Sequence, residues 1–190
     1  MPIVGQFGSL AGFGMFPGGA FESIATVTVG SGGAASATFS DIPSGFQHLQ
    51  IRVMSRADFN FAGGLSLYIR LNSDTGTNYR WHRLHGDGAS AVAAAAGAAD
   101  DRIEFWKSVT DTSTSSSIFS GQIVDILDYA STSKATTVRA FNGYDANGIG
   151  TVSIQSGLWT STNAVSTITL TSDGNWLQHS TFALYGIKAP

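Results

Sequence analysis

Short runs in which apolar and polar residues alternate dominate the chain from residue 21 onward. Leu49, Ile51 and Val53 alternate with polar side chains, and residues 65–71 repeat the pattern with four apolar positions. An alternation with a period of two places one set of side chains in a core and the other towards water or a partner. The pattern therefore predicts β-strands that each have one buried face.

These runs are separated by clusters of Gly, Ser, Asn and Asp, which are the residues that turns require. Strands are expected at residues 25–29, 35–39, 48–56, 65–71, 79–85, 103–106, 118–129, 136–141, 151–159, 167–170 and 181–187. Residues 89–99 are rich in Ala, which predicts a short helix or an Ala-rich loop. The sequence has no strand–helix–strand unit, so an all-β fold is expected: an antiparallel two-sheet sandwich of jelly-roll-like form.

Residues 1–20 follow a different pattern, in which apolar side chains are separated by glycines and two prolines. So much glycine opposes a regular helix or strand, yet aromatic side chains are costly to leave in water. The segment is therefore expected to be an extended arm outside a single sandwich domain at residues 21–190. Two interpretations stay open: an arm that docks on a neighbouring subunit, or a terminus that frays or folds back on its own domain. The side chains expected to make the partner contact are Ile3, Val4, Phe7, Leu10, Phe13 and Phe16.

The composition is that of a folded protein with few charges. Charged residues make up 12% of the 190 residues and the net charge is −3, against roughly 25% charged residues in average soluble domains. Nucleic acid is not expected as a partner, because binding phosphates requires clustered Lys and Arg. The sequence contains no cysteine, no apolar run of the length of a membrane span and no signal-peptide pattern at its start. We therefore expect a protein made in a cytoplasm, without disulfides.

Three short motifs suggest chemistry, each weakly. His82 and His85 are three residues apart, as are Asp125 and Asp128, so within a strand the members of each pair point to opposite faces. Neither a shared metal ion nor a pair of catalytic carboxylates is expected. Asp125 is expected to pair with an Arg across the sheet, and Asp128 to cap a turn. Residues 145–148 resemble part of a calcium loop but lack its further acidic ligands. No catalytic residue, cofactor or metal is predicted, and the chain is not expected to be an enzyme.

The larger aromatic side chains have two interpretations. They form a surface on which sugar rings stack, or they fill the core or a subunit interface, where Trp and Tyr are also common. The second interpretation is favoured. The residues concerned are Tyr68, Trp81, Trp106, Tyr144, Trp159 and Trp176.

Several phrases of the sequence resemble a known group of proteins. They are FESIATVTVGSGG at 21–33, HLQIR at 48–52, NSDTGTNYRWHRLHGDG at 72–88, DILDY at 125–129 and FALYGIK at 182–188. In this order they are similar to phrases of small virion proteins of tailed bacteriophages and prophages, which are described as structural, fibre-like or decoration proteins. The resemblance implies no catalytic residues, and residues 1–20 lie outside it.

The function expected from the residues and the resemblance together is structural. The chain is expected to assemble as a homo-oligomer, most simply a trimer, in the virion of a tailed phage. It would bind major capsid proteins as a decoration (cement) protein, or tail proteins. The alternative is a receptor- or glycan-binding module at a fibre or spike tip, with the loops at 111–117 and 143–150 on a host glycan. An enzyme that cleaves surface sugar is the weakest hypothesis, because acidic residues are few.

Overall fold

The alternating runs fold into β-strands in a computed structural model, which describes residues 19–61, 63–95 and 99–189. Within these ranges there are twelve strands and no helix. The strands are β1 (Phe21–Thr28), β2 (Ala37–Phe39), β3 (His48–Ser55), β4 (Leu65–Leu71), β5 (Tyr79–Gly86), β6 (Ala91–Ala95), β7 (Ile103–Val109), β8 (Ser120–Leu127), β9 (Thr136–Asp145), β10 (Gly150–Trp159), β11 (Ile168–Ser172) and β12 (Thr181–Ile187).

The strands form two sheets of unequal size. The large sheet has the order β1-β12-β3-β8-β9-β10-β5-β6, and the small sheet has the order β2-β11-β4-β7. Every strand-to-strand ladder is antiparallel. The predicted antiparallel two-sheet sandwich is confirmed. The chain changes sheet at each step from β1 to β4.

The core lies between the two sheets and uses the predicted faces. Leu49, Ile51 and Val53 of β3 are buried, as are the four alternate positions of β4 that begin at Leu65. Trp159, Trp176 and Phe182 add large aromatic volume. Burying one large apolar side chain contributes about 1.5–3 kcal/mol before entropy is counted. These residues therefore hold the sheets together.

The Ala-rich segment was expected to be a helix or a loop, and both expectations are wrong. Ala91–Ala95 forms β6, which pairs with β5 from His82 opposite Ala95 to Gly86 opposite Ala91. The Asp87 carboxylate accepts hydrogen bonds from the backbone N–H of Ala89 (3.0 Å) and Ser90 (2.8 Å), and this closes a tight turn. Strand pairing after that turn outweighs the weak helix preference of Ala.

The predicted loop at 143–150 is shorter than expected. Strand β9 continues to Asp145 and β10 begins at Gly150, so only residues 146–149 form the turn between them. Asp145 Oδ1 accepts a hydrogen bond from the backbone N–H of Gly148 (3.0 Å). The predicted loop at 111–117 is present as expected.

Candidate functional site

The middle of the large sheet has its polarity reversed. On β8, β9, β10 and β5 the side chains that face away from the sandwich are apolar at Ile123, Phe141, Ile154 and Leu84. The side chains that face inward beside them are polar, and they are Gln122, Asn142, Ser153 and His85. An isolated sandwich would carry the opposite arrangement, with apolar side chains inside.

Hydrogen bonding to the small sheet accounts for part of the inward polar set. Strand β7 is an edge strand among the described residues, so one row of its backbone groups has no strand beside it there. Gln155 Oε1 accepts a hydrogen bond from the N–H of Trp106 (3.0 Å), and Gln122 Nε2 donates one to the carbonyl of Ser108 (2.8 Å). Thr151 Oγ1 donates to the carbonyl of Lys107 (2.9 Å). Gln155, Gln122 and Thr151 therefore join the two sheets, whereas the outward apolar side chains make no such contact.

The four outward residues form one continuous row. Ile123 lies opposite Phe141, Phe141 opposite Ile154, and Ile154 opposite Leu84. Side chains at such cross-strand positions are in contact. Their exposed fractions are 42%, 56%, 61% and 54% in the order of the row. We call these four residues the apolar ridge.

A row with little side-chain volume runs beside the apolar ridge, two residues from it along each strand. Met54, Gly121, Gly143, Val152 and Gly86 follow one another across β3, β8, β9, β10 and β5. Three of these five positions carry no side chain, although glycine inside a strand costs roughly 0.5–1 kcal/mol relative to Ala. We call this row the glycine groove.

The outer face also has two hollows. One of about 260 Å³ is lined by ridge and groove residues, among them Phe141, Val152 and Leu84. The other, of about 710 Å³, lies between Ile154 of β10 and the alanines at positions 93 to 95 of β6. The half-exposed ridge residues together with Met54 and Val152 leave on the order of 600 Å² of apolar surface open. Surfaces of that size on a monomer are commonly sites of contact.

A row of polar side chains, Gln50, Asp125 and Arg139, borders the apolar ridge. It contains the predicted pair of Asp125 with an Arg across the sheet. Asp125 Oδ2 accepts a hydrogen bond from Arg139 Nε (3.1 Å), and its Oδ1 accepts one from Gln50 Nε2 (2.9 Å). The expected cross-strand Arg partner of Asp125 is confirmed.

Asp128 has separate partners. Its carbonyl accepts the N–H of Ser131 (2.9 Å) in the expected turn. Its carboxylate, however, pairs with Lys134 and lies 3.5 Å from His48 Nδ1, so the side chain does not cap the turn. The hydrogen bond from Lys134 is the main cause that lowers the pKa of Asp128. The two carboxylates are thus held by separate side-chain partners, each in a structural contact.

The two histidines lie on opposite faces of β5, as their spacing predicts. His82 is exposed on the outer face, and His85 is buried with its ring centroid 4.5 Å from that of Trp106. Burial, followed by the positive charges of Arg83 and Lys107, lowers the pKa of His85. Among the described residues no group of three His, Asp or Glu side chains is arranged to hold a metal ion. The same ranges contain no helix with the length and apolar character of a membrane span.

The six aromatic residues do not share one surface. Trp159 and Trp176 are in the core. The guanidinium of Arg83 lies 5.2 Å from the ring centroid of Trp81 and 4.1 Å from that of Trp106, between β5 and β7. The other two lie elsewhere: Tyr68 is on β4 under Arg102, and Tyr144 is on β9.

The loops that were expected to contact a glycan lie side by side. The loop that begins at Asp111 and the turn at 146–149 line a cavity of about 300 Å³ together with Gly64 and Tyr144. Gly64 has a φ of +84°, and a Cβ there would lie 2.7 Å from the Tyr144 hydroxyl, so only glycine fits. Burial, and then the carboxylate of Asp111, raise the pKa of Tyr144. The hydroxyl is therefore a hydrogen-bond donor at neutral pH. We call this cavity the loop cavity.

The predicted contact residues of the arm lie outside the described part of the chain. They are Ile3, Val4, Phe7, Leu10, Phe13 and Phe16. The apolar ridge and glycine groove, by contrast, were missed by the sequence interpretation. The sequence signal that would have indicated them is glycine in or next to three predicted strands, at Gly121, Gly143 and Gly86.

Comparison with known proteins gives no relative: no protein-family model, no curated protein and no solved structure matches this chain. The function therefore has to be argued from the surfaces themselves.

Proposed function

We propose that this protein is a structural component of a tailed-bacteriophage virion that assembles as a homo-oligomer. The expected stoichiometry is a trimer, placed on the capsid as a decoration (cement) protein or on the tail apparatus. The observation that carries the self-assembly part is the apolar ridge, which exposes four large side chains in a row. The phage assignment rests on the resemblance of the sequence phrases given above.

The size and chemistry of the outer face support self-assembly. A standard protein interface buries about 800 Å² on each partner, and the apolar surface around the ridge is of that order once its rim is added. Charges are few on this face, and the pair Asp125–Arg139 is already satisfied within the chain. Burying the face therefore leaves few unpaired charges, which is what interfaces avoid.

The outermost strand β6 supports the same proposal. Ala91–Ala95 pairs only with β5 among the described strands, so its second row of backbone groups is open. It carries neither a charge nor a proline, the usual means by which edge strands avoid pairing with other chains. A surface contact next to the apolar ridge would cover it.

The mass of the full chain in solution tests self-assembly. Light scattering is expected to give a trimer that the double variant Phe141→Ser/Ile154→Ser weakens at least tenfold in dissociation constant. The control is Ile149→Ser, which removes an even more exposed side chain (73%) at the β9–β10 turn, away from the ridge. A monomer at all concentrations would refute the homo-oligomer.

The virion part has its own test. Particles purified from a lysate of cells that produce the phage should contain the chain in fixed copy number, as measured by quantitative mass spectrometry. Recovery of the chain only from the particle-free fraction would contradict the proposal.

The loop cavity favours a second candidate function, a glycan-binding module at a fibre or spike tip. Its volume of about 300 Å³ suits a single sugar ring, and it combines an aromatic side chain, Tyr144, with Ser, Thr and Asn groups on the surrounding loops. Such a mixture of one aromatic face and several hydrogen-bonding groups is typical of small-molecule sites. A glycan array with the full chain tests it, and signals must disappear in Tyr144→Ala. An array without a signal would remove this candidate and leave the first untouched.

A further inference from the structure

We infer that the glycine groove and the apolar ridge receive the N-terminal segment, residues 1–18, of a neighbouring copy of the chain. This rests on the homo-oligomer proposed above and names the contact that would hold it together.

The groove has the form of a surface that another backbone approaches. At Gly121 a Cβ would have no atom within 4 Å, and the backbone is in an ordinary strand conformation. The fold therefore does not require glycine there, in contrast to Gly143, where a Cβ would lie 2.7 Å from the carbonyl oxygen of Thr151. A glycine that a strand does not need for its own geometry marks a place where a second backbone comes close.

The segment matches the outer face in chemistry. Residues 1–18 contain no Asp, Glu, Lys or Arg, and they carry Phe7, Phe13 and Phe16 on a chain rich in glycine. Aromatic side chains fit the two hollows beside the ridge, which are lined almost wholly by apolar atoms. Glycines between the aromatics let the backbone lie close to the floor of the groove.

The attachment point favours a neighbouring copy over the same chain. The segment joins β1 at Phe21, on the far edge of the large sheet, four strands or about 19 Å from β9. Along the strands it enters at the opposite end from the glycine groove, because the row of Met54 meets β1 at Thr28. In between, Arg52 covers the outer face by stacking on the rings of Phe21 and Tyr185. Within one chain, Phe16 and Phe13 would have to cross that charged strip. Extended to at most about 60 Å, the segment reaches a second molecule easily.

The symmetry of such a contact agrees with a trimer. A segment of one copy in the groove of the next is a heterologous contact, because the two partners use different surfaces. Heterologous contacts close into a ring when the rotation between neighbours is a whole fraction of a turn, and a third of a turn gives a trimer. Three copies then exchange three segments, and each groove is filled once.

The test uses full-length protein throughout. Gly121→Val fills the groove with a β-branched side chain that a strand accommodates well, so the melting temperature should stay equal or rise. This holds at a concentration at which both proteins are dissociated, because loss of the oligomer itself lowers the melting temperature. The dissociation constant of the oligomer, measured by light scattering, should nevertheless rise at least tenfold. The matched control is Gly45→Val, since a Cβ at this exposed loop glycine also meets nothing within 4 Å.

A binding experiment identifies the occupant. The acceptor is the full chain with Phe7→Ser, Phe13→Ser and Phe16→Ser, and the probe is a fluorescein-labelled peptide of residues 1–20. The fluorescence anisotropy is expected to report binding that Gly121→Val in the acceptor weakens at least tenfold and Gly45→Val does not change.

Each other outcome overturns the inference in a recognisable way. If the triple-serine chain stays a trimer and does not bind the peptide, the segment is not the occupant, while self-assembly stands. If the wild-type chain is a monomer and the serine variant binds the peptide, the groove is filled by its own segment. If the wild-type chain is a monomer and no peptide binds, both this inference and the homo-oligomer fail.

Discussion

At the scale of single residues, Tyr79 shows how one hydroxyl fixes a turn. The Tyr79 hydroxyl accepts a hydrogen bond from the N–H of Leu71 (3.1 Å). It lies 3.2 Å from the carbonyl oxygens of both Leu71 and Asp74, and its one hydrogen is shared between these two acceptors. Asp74 in turn accepts a hydrogen bond from Trp159 Nε1 (2.7 Å). The turn after β4 is thus tied to the start of β5 and the end of β10.

Tyr79→Phe is therefore expected to lower the free energy of unfolding by about 1–2 kcal/mol at neutral pH, because the N–H of Leu71 loses its acceptor. Burial raises the pKa of Tyr79 to about 12, against about 10 in an unfolded chain. The contribution of the protonated hydroxyl is complete below pH 10 and is lost as the pH rises through 12. Urea unfolding followed by circular dichroism checks this. The difference in unfolding free energy between wild type and Tyr79→Phe should be smaller at pH 11 than at pH 8.

The control for this prediction is Tyr185→Phe, since Tyr185 lies on the outer face of β12. It should change the unfolding free energy little at either pH. An advantage of wild type over Tyr79→Phe that stays constant from pH 8 to pH 11 would contradict the assigned role of the buried hydroxyl.

The strands of the core were predictable because their alternation agrees with their burial, as at Ile51 and Ile69. The apolar outer face was not predictable. The alternation in β10 shows which residues share a face of the strand, but not which of the two faces is buried. Val152 and Ile154 lie on one face of β10, and this face points outward because Thr151 and Gln155 on the other face bond the edge of β7. The packing of the edge strand β7 over β10 depends on residues far apart in the sequence, so the local pattern of β10 does not contain it.

At the scale of whole elements, β6 is the weakest strand of the large sheet. It is five residues long, is composed of Ala with one Val, and pairs on one side only among the described strands. Ala packs little surface in a strand, so β6 gains little from its side chains. Its prediction as helix or loop was wrong for the same reason: the sequence signal is weak, and the pairing with β5 decides.

Hydrogen exchange should show this weakness and also report the interface. In protein diluted below its dissociation constant, the amides of Ala91–Ala95 are expected to exchange at least 100-fold faster than those of β8 and β9 in the centre of the sheet. In the concentrated oligomer they should slow down, because the neighbouring outer face is covered. Mass spectrometry of peptic peptides at two concentrations checks both. Exchange in β6 that is slow and independent of concentration would contradict this view of the edge.

At the scale of the whole molecule, the two sheets differ in the area that they cover. The small sheet lies against the inner face of the large sheet, with β7 packed across β5, β8, β9 and β10. The outer face of those strands has no covering element among the described residues and carries the apolar ridge. The core therefore lies between the two sheets, while the apolar ridge on the outer face is exposed among the described residues.

Removing the N-terminal segment tests the folding of the sandwich and its assembly separately. Deletion of residues 1–19 should leave the sandwich folded, because β1 to β12 lie between Phe21 and Ile187. Its melting temperature, measured at a concentration where wild type is also dissociated, should change by no more than a few degrees. Incorporation into phage particles should fall at least tenfold, because each copy loses the contact that adds to its attachment. The measurement is the copy number per particle in a phage whose gene carries the deletion. The triple-serine variant, which keeps the length of the segment but loses its aromatic side chains, should show the same fall. Fully decorated, equally robust particles in both cases would mean that the sandwich alone supplies the assembly contacts.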